Sequence, residues 1–215
     1  MSRCNAPSSI VKRLPVYLRI LDNLIKKDVD IISSRNLSDQ TGFTAEQIRK
    51  DLAYFGAFCT RGTGYNTVYL REKLLKIIGL DKETNVIVLG TGNLGNAFGR
   101  YNISKNPYIR VVGMFDIDLE IIGKRVEGLY IEHIDRMPEI IKEYNVKVAV
   151  LTVPAEQAQY VVDILIKHGI TAILNFAPTK LNVPNYVHVH NTDLTIELQS
   201  LIYYSSSEEE RGIRR

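Results

Sequence analysis

Leu14, Tyr17, Leu18, Leu21, Leu24 and Ile25 recur at spacings of three and four, one apolar stripe that predicts a helix over Ser8–Lys27. Pro15 has no amide hydrogen for a helix interior, so the helix either starts there or kinks there. Ser34–Thr41 reads as a short second helix, capped by Ser33 or Ser34 and stopped by Gly42. Thr44–Phe55 reads as a third. Thr44 is its N-cap, Gln47 completes a capping box, and Ile48, Leu52 and Phe55 make the apolar stripe. Only Gly42 and Phe43 separate these two helices, the spacing of a helix-turn-helix. Beyond Gly56, the segments Ala57–Thr60 and Asn66–Tyr69 flank the turn Arg61-Gly62-Thr63-Gly64-Tyr65 and read as a small hairpin. Helix-turn-helix plus basic hairpin makes a winged helix, which a fourth helix over Leu70–Leu80 closes. Asp81–Thr84 is a polar linker.

From Asn85 the pattern changes. Val86-Ile87-Val88-Leu89 is apolar without alternation, as a parallel strand buried on both faces must be. A glycine turn and a helix follow. Further strands are predicted at Arg110–Phe115, Val126–Ile131, Val146–Val153, Ala172–Phe176 and Tyr186–Val189, and helices at Met137–Tyr144 and Ala155–His168. Strand alternating with helix predicts an open, largely parallel α/β sheet. A last helix from Asp193 carries Leu194, Leu198, Leu201 and Ile202 on one side. The expected organisation is a winged helix over 1–80, the α/β unit over 84–191, a final helix over 192–206 and a polar, disordered tail over 207–215.

The net charge of +3 over 215 residues hides an asymmetry. Residues 1–80 hold 13 Lys and Arg against 7 Asp and Glu, net +6, and the rest is net −3. A polyanion partner is therefore expected for the first part only. No run of about 18 apolar residues is present, and the first nine residues lack a signal peptide's apolar core, so a cytoplasmic protein without a membrane span is expected. Cys4 and Cys59 are too few for a disulfide framework or a metal quartet and read as reduced thiols. The histidines, His133, His168, His188 and His190, bring no third ligand to the pair that alternates on one strand, so no metal site is expected.

Gly90-Thr91-Gly92-Asn93-Leu94-Gly95 is G-x-G-x-x-G, placed after a buried strand and opening a helix. Asp116 ends the next strand, 21 residues past Gly95. Together these form the dinucleotide fingerprint of a Rossmann-like sheet. The helix N-terminus offers unpaired amides to a pyrophosphate. Asp116 is placed to accept from a ribose and to repel a 2′-phosphate, which favours NADH and NAD+ over their phosphorylated forms, with Lys124 and Arg125 the nearby cations that would counter it. The strand ends Thr152-Val153-Pro154 and Asn175-Phe176-Ala177 are candidates for the nicotinamide pocket, since ligands lie across the carboxyl ends of such strands.

The third helix would expose Gln47, Arg49, Lys50 and Tyr54, residue types that read guanine and adenine edges in a major groove. Arg61, Gly62, Gly64 and Tyr65 in the wing would meet phosphate or a minor groove. An enzyme would need a substrate pocket and a proton donor, and only one helix and a tail follow the sheet. An NAD(P)-dependent oxidoreductase with an accessory winged helix is the alternative, and a CoA- or nucleotide-binding regulator a third.

With both motifs in place the chain resembles the Rex family of redox-sensing transcriptional repressors. The match runs from about Pro15 to Tyr204 and is most specific at 14–19 (LPVYLR), 47–52 (QIRKDL) with 54–56 (YFG), 62–66 (GTGYN), Gly90–Gly95 and Asp193-Leu194. Cys59 departs from it, since glycine is common at that place in the wing. The resemblance implies a homodimer on operator DNA, with the last helix of each chain swapped against the partner. It implies that Arg19, Tyr101 and Asp193 form a switch, with Asp193 changing partner between states. It also implies that NADH releases the DNA and NAD+ does not.

Overall fold

In the computed structural model the described residues are 6–56, 58 and 64–210, with side chains described through 206. Cys4, Cys59, Arg61 and Gly62 lie outside them, as do Ala57 and Thr60 of the first strand expected for the wing, whereas Phe58 is not in a strand and packs against the first unit's core. The chain divides into two compact units, Met1–Lys82 and Glu83–Arg215.

In the first unit α1 spans Ser8–Ile25 and runs through Pro15 rather than starting there. Its stripe, with Ile20 added, is buried from Leu14 to Leu24. Helix α2 is Ser34–Thr41, with Ser33 Oγ accepting from Asn36 N at 3.1 Å and Gly42 closing it at φ 73°. Helix α3 is Ala45–Phe55. Thr44 Oγ1 accepts from Gln47 N and Gln47 Oε1 accepts from Thr44 N, both at 3.1 Å, which closes the capping box and satisfies two orphan donors. Two corrections follow downstream. Tyr65–Asn66 is a two-residue strand, β2, and among the described residues it pairs antiparallel with Ile31–Ile32, β1, a strand not predicted. Thr67–Tyr69 are not strand but the first turn of α4, Thr67–Ile78, whose N-cap Asn66 accepts from Tyr69 N at 2.9 Å. Leu14, Tyr17, Leu21, Leu37, Ile48, Leu52, Leu70 and Leu74 form the core of this unit.

The second unit is built on β3 (Thr84–Leu89), β4 (Ile109–Asp116), β5 (Arg125–Val126), β6 (Leu129–His133), β7 (Val148–Leu151), β8 (Ala172–Asn175) and β9 (His188–Asn191). The order across the sheet is β5-β6-β4-β3-β7-β8-β9, parallel throughout except β5. The strand predicted at Val126–Ile131 is therefore a hairpin, β5 and β6. Glu127 and Gly128 turn it with φ of 48° and 90°, the left-handed pair that suits a two-residue turn. Helices α5 (Asn93–Lys105), α6 (Met137–Glu143) and α7 (Ala155–Lys167) connect the strands. From β3 the chain first steps one way, to β4 and β6, then returns past β3 to β7. That reversal opens a crevice at the carboxyl ends of β3 and β7, where such sheets bind ligands. Apolar clusters line the sheet around Ile87, Leu89 and Phe115 and around Val86, Val88 and Met114.

The last helix, α8, is Leu194–Glu210, so the residues 207–210 expected in a disordered tail are helical. Once a capped turn exists, each added residue costs little, and Ser206 Oγ returns a hydrogen bond to Ile202 O at 3.0 Å. Among the described residues no helix is long and apolar enough to cross a membrane.

Candidate functional site

Strand β3 ends at Leu89 and the chain turns on Gly90, at φ 84°. The turn is held from β7: Thr152 N donates to Leu89 O at 2.8 Å, and Thr152 Oγ1 lies 2.6 Å from Gly90 O. Helix α5 then presses on the turn so closely that a Cβ on Gly95 would lie 2.0 Å from Gly90 O. A Cβ on Gly92, by contrast, would meet nothing within 4 Å. Packing therefore demands glycine at 95, whereas at 92 glycine leaves the backbone bare beside the first turn of α5, as a pyrophosphate cradle requires.

Asp116 ends β4 alongside this turn. Its Oδ2 accepts from Thr91 N at 2.6 Å and Thr91 Oγ1 at 2.9 Å, and its Oδ1 accepts from Ile117 N at 2.8 Å and Asp118 N at 3.1 Å. Burial alone would raise its pKa, but these bonds outweigh it and hold the carboxyl below the usual range, ionised at neutral pH. Asp116 thus clamps the glycine turn to the next strand.

Gly90, Gly92, Asp116, Thr152, Val153 and Pro154 share a cavity of about 610 Å³, within the size range of cofactor pockets. Leu89, Phe115, Ile117, Asp118, Ile121, Ile134, Gln157, Tyr160 and Val161 complete its wall and escaped the reading of the site from sequence. Gln157 and Val161 were recoverable, being one helical turn apart on α7, just after Pro154. Thr91, between Gly90 and Gly92, is buried and does not line the cavity. Lys124 and Arg125 do not line it: with Asn93, Asn96 and Arg100 they line a second cavity of about 440 Å³. Asn175 is buried and organises its own loop, its Oδ1 accepting from Ala177 N at 3.0 Å and its Nδ2 within 2.9 Å of Asn191 Oδ1. Phe176 packs edge-on against Phe98, with ring centroids 6.3 Å apart. Leu94 is exposed on α5, as is Tyr101 further along it. Asp193 Oδ1 accepts from Thr195 N at 2.9 Å and Ile196 N at 3.2 Å, so it caps α8.

In the first unit Gln47, Arg49, Lys50 and Tyr54 are all exposed on α3. Gln47 also serves the capping box. Arg49 Nη1 donates to Ser34 Oγ at 3.0 Å, and Lys50 pairs with Glu46 at 2.7 Å. Gly64, at φ 93°, packs on the backbone of Ile32. Tyr65, expected at the DNA, is instead 4% exposed in the core, where its ring helps hold β2 against the helices. Arg19 is exposed on α1. Among the described residues no group of three or more His, Cys, Asp or Glu is arranged to hold a metal ion.

A capped helix-turn-helix unit followed by a dinucleotide-type α/β unit defines a ligand-responsive DNA-binding protein as the class. Comparison with known proteins agrees for each unit. Residues 5–53 match the model described as the N-terminus of putative DNA-binding proteins, and residues 81–179 match the CoA binding domain. A redox-sensing transcriptional repressor Rex from Natranaerobius thermophilus is 59% identical over 96% of this chain and 94% of its own, and one from Carboxydothermus hydrogenoformans 44% identical over 92% and 95%. The crystal structure of RSP in complex with β-NAD+ and operator DNA superposes with TM-score 0.89 at 38% identity, covering 97% of this chain and 96% of that one. RSP in complex with β-NADH gives 0.83 at 37% identity over 96% and 97%. The chain belongs to the Rex family of redox-sensing transcriptional repressors.

Proposed function

We propose that this chain binds operator DNA as a homodimer and is released when NADH fills its Rossmann-like unit, so that it reports the NADH/NAD+ ratio. One observation carries the reading: a single chain joins a capped helix exposing Gln47, Arg49, Lys50 and Tyr54 to a glycine-turn pocket closed by the ionised Asp116. Relatives captured with operator DNA and NAD+, and with NADH, support it.

The bare backbone at Gly92 and the first turn of α5 would take the pyrophosphate. Asp116 would sit at the adenosine ribose, and its negative charge disfavours a 2′-phosphate there. Thr152, Val153 and Pro154, and beyond them Asn175, Phe176 and Ala177, would line the nicotinamide side. When bound, the nicotinamide supplies a ring that is positive when oxidised and neutral when reduced. On DNA, Gln47, Arg49, Lys50 and Tyr54 would read bases, with Arg61, Gly62 and Gly64 of the wing at phosphate or a minor groove. Tyr65 holds the wing's base from inside rather than touching DNA. Helix α8 would supply the dimer interface by exchange between subunits. Asp193, moving between Arg19 and Tyr101, would bias the two dimer forms. No enzymatic turnover is part of this reading, and the cytoplasm, where the DNA lies, is its place.

The test is fluorescence anisotropy on a palindromic operator library, with NADH and NAD+ titrated in turn. NADH should lower operator affinity and NAD+ should not. Equal effects of the two would overturn the redox reading, and steady NADH oxidation with a small substrate would favour an oxidoreductase.

A further inference from the structure

Helix α3 carries two acids with opposite fates. Glu46 faces solvent beside Lys50, whereas Asp51 is 2% exposed. A buried carboxylate costs several kcal/mol unless it is paired and its lone pairs are filled. Asp51 is both. Arg13 closes on it as a fork, Nε at 2.6 Å from Oδ2 and Nη2 at 2.7 Å from Oδ1, and Tyr17 OH donates to Oδ2 at 2.6 Å. Burial would raise the acid's pKa, but Arg13 and Tyr17 more than reverse that and keep it charged. Phe43, from the turn between α2 and α3, covers the group. Its ring lies edge-on to Tyr17 at 6.0 Å and 5.8 Å from the Arg13 guanidinium.

Leucine at 51 would join the same core more simply. What the ionic arrangement adds is direction. Apolar contact lets helices slide and roll by small amounts, whereas a two-pronged guanidinium–carboxylate pair fixes one orientation. Both partners of Asp51 lie on α1, and α1 also carries the exposed Arg19. Six residues past Arg13, it lies about 9 Å along the axis and about 120° around it.

We propose that Arg13 and Tyr17 are positioning residues that lock α3 to α1 through Asp51, so that movement of α1 imposed at Arg19 arrives at the DNA-reading face undiminished. The proposal rests on the reading of α3 as the recognition helix, of NADH as the releasing ligand and of Arg19 as the residue through which the proposed switch acts on α1.

The test uses the full chain and a palindromic operator, measured with and without saturating NADH, for Arg13→Lys, Tyr17→Phe and Asp51→Asn. NADH affinity of the free protein and thermal unfolding are measured alongside. Each variant should keep its NADH affinity within about twofold. Operator binding should weaken about tenfold, the effect of one charge-assisted hydrogen bond. The ratio of operator affinities without and with NADH should shrink toward one. Losing a clamp that merely stabilises the unit lowers the folded fraction in both conditions alike and leaves that ratio untouched, so an unchanged ratio overturns the proposal, as does unchanged operator affinity. Should Asp51→Asn fail to fold, Tyr17→Phe, which removes a single oxygen, still decides the matter. A wild-type chain that ignores NADH removes the functional reading itself, an outcome seen before any variant is compared.

Discussion

A carboxylate offers about four lone-pair sites, and Asp116 fills them all from its own chain: two from Thr91, one from Ile117 and one from Asp118. A ribose hydroxyl must therefore share an acceptor or displace Thr91, and the acid's first duty is to hold the turn. Replacing it with Asn should weaken NADH about tenfold and narrow the gap between NADH and NADPH, because the charge that repels a 2′-phosphate is gone. Dissociation constants for both cofactors check this; an unchanged gap would show that Asp116 does not select between them. The acid's folded pKa lies below its unfolded value of about 3.9, so its stabilisation is whole above roughly pH 4 and drains away as pH falls through the lower folded value. Asp116→Asn should accordingly flatten the acid limb of the stability curve below about pH 4 and leave its shape near neutrality alone, as chemical denaturation across pH would reveal.

At the scale of elements, α8 stands out. Leu194, Ile196, Leu198, Leu201, Ile202, Tyr203 and Tyr204 are each 55–69% exposed in the single chain. Covering such side chains is worth about 1.5–3 kcal/mol apiece, and the proposed exchange of α8 between subunits covers them. Leu198→Glu with Ile202→Glu should turn the dimer into a folded monomer in sedimentation velocity, with NADH still bound by the second unit and operator affinity lost. A double variant that stays dimeric would place the interface elsewhere. Helices α2 and α3 were legible because their signals are local: Ser33, Gly42, Thr44 and Gln47 sit within a few residues of the ends they make. So was the glycine turn, fixed by Gly90, Gly95 and the strand before it. Strand β1 was not, because two residues carry no period and its partner lies beyond α3. Nor was the burial of Asp51, whose polar identity places it outside until Arg13, 38 residues upstream, is folded against it. The part of the cavity formed by Ile117, Ile121 and Tyr160 was equally hidden, since the loop after β4 and helix α7 meet there only through the sheet order.

For the whole molecule the governing relation is linkage. If filling both NADH sites of the dimer weakens operator binding by some factor, operator DNA must weaken NADH binding at the two sites, multiplied together, by the same factor, whatever path joins the two units. Titrating NADH by fluorescence with and without saturating operator measures the second factor, and a mismatch with the first would mean that the two arms were not at equilibrium or held different assemblies of the chain. The N-terminal part, net +6, also makes operator affinity fall steeply with salt, so both arms need one ionic strength. The greasy face of α8 adds a consequence of its own. If the reader is assembled from two copies, as proposed, it works only above the concentration at which the copies find each other, and the amount of protein a cell makes would set a floor beneath which no redox signal registers. Expression level and cofactor poise would thereby be multiplied together.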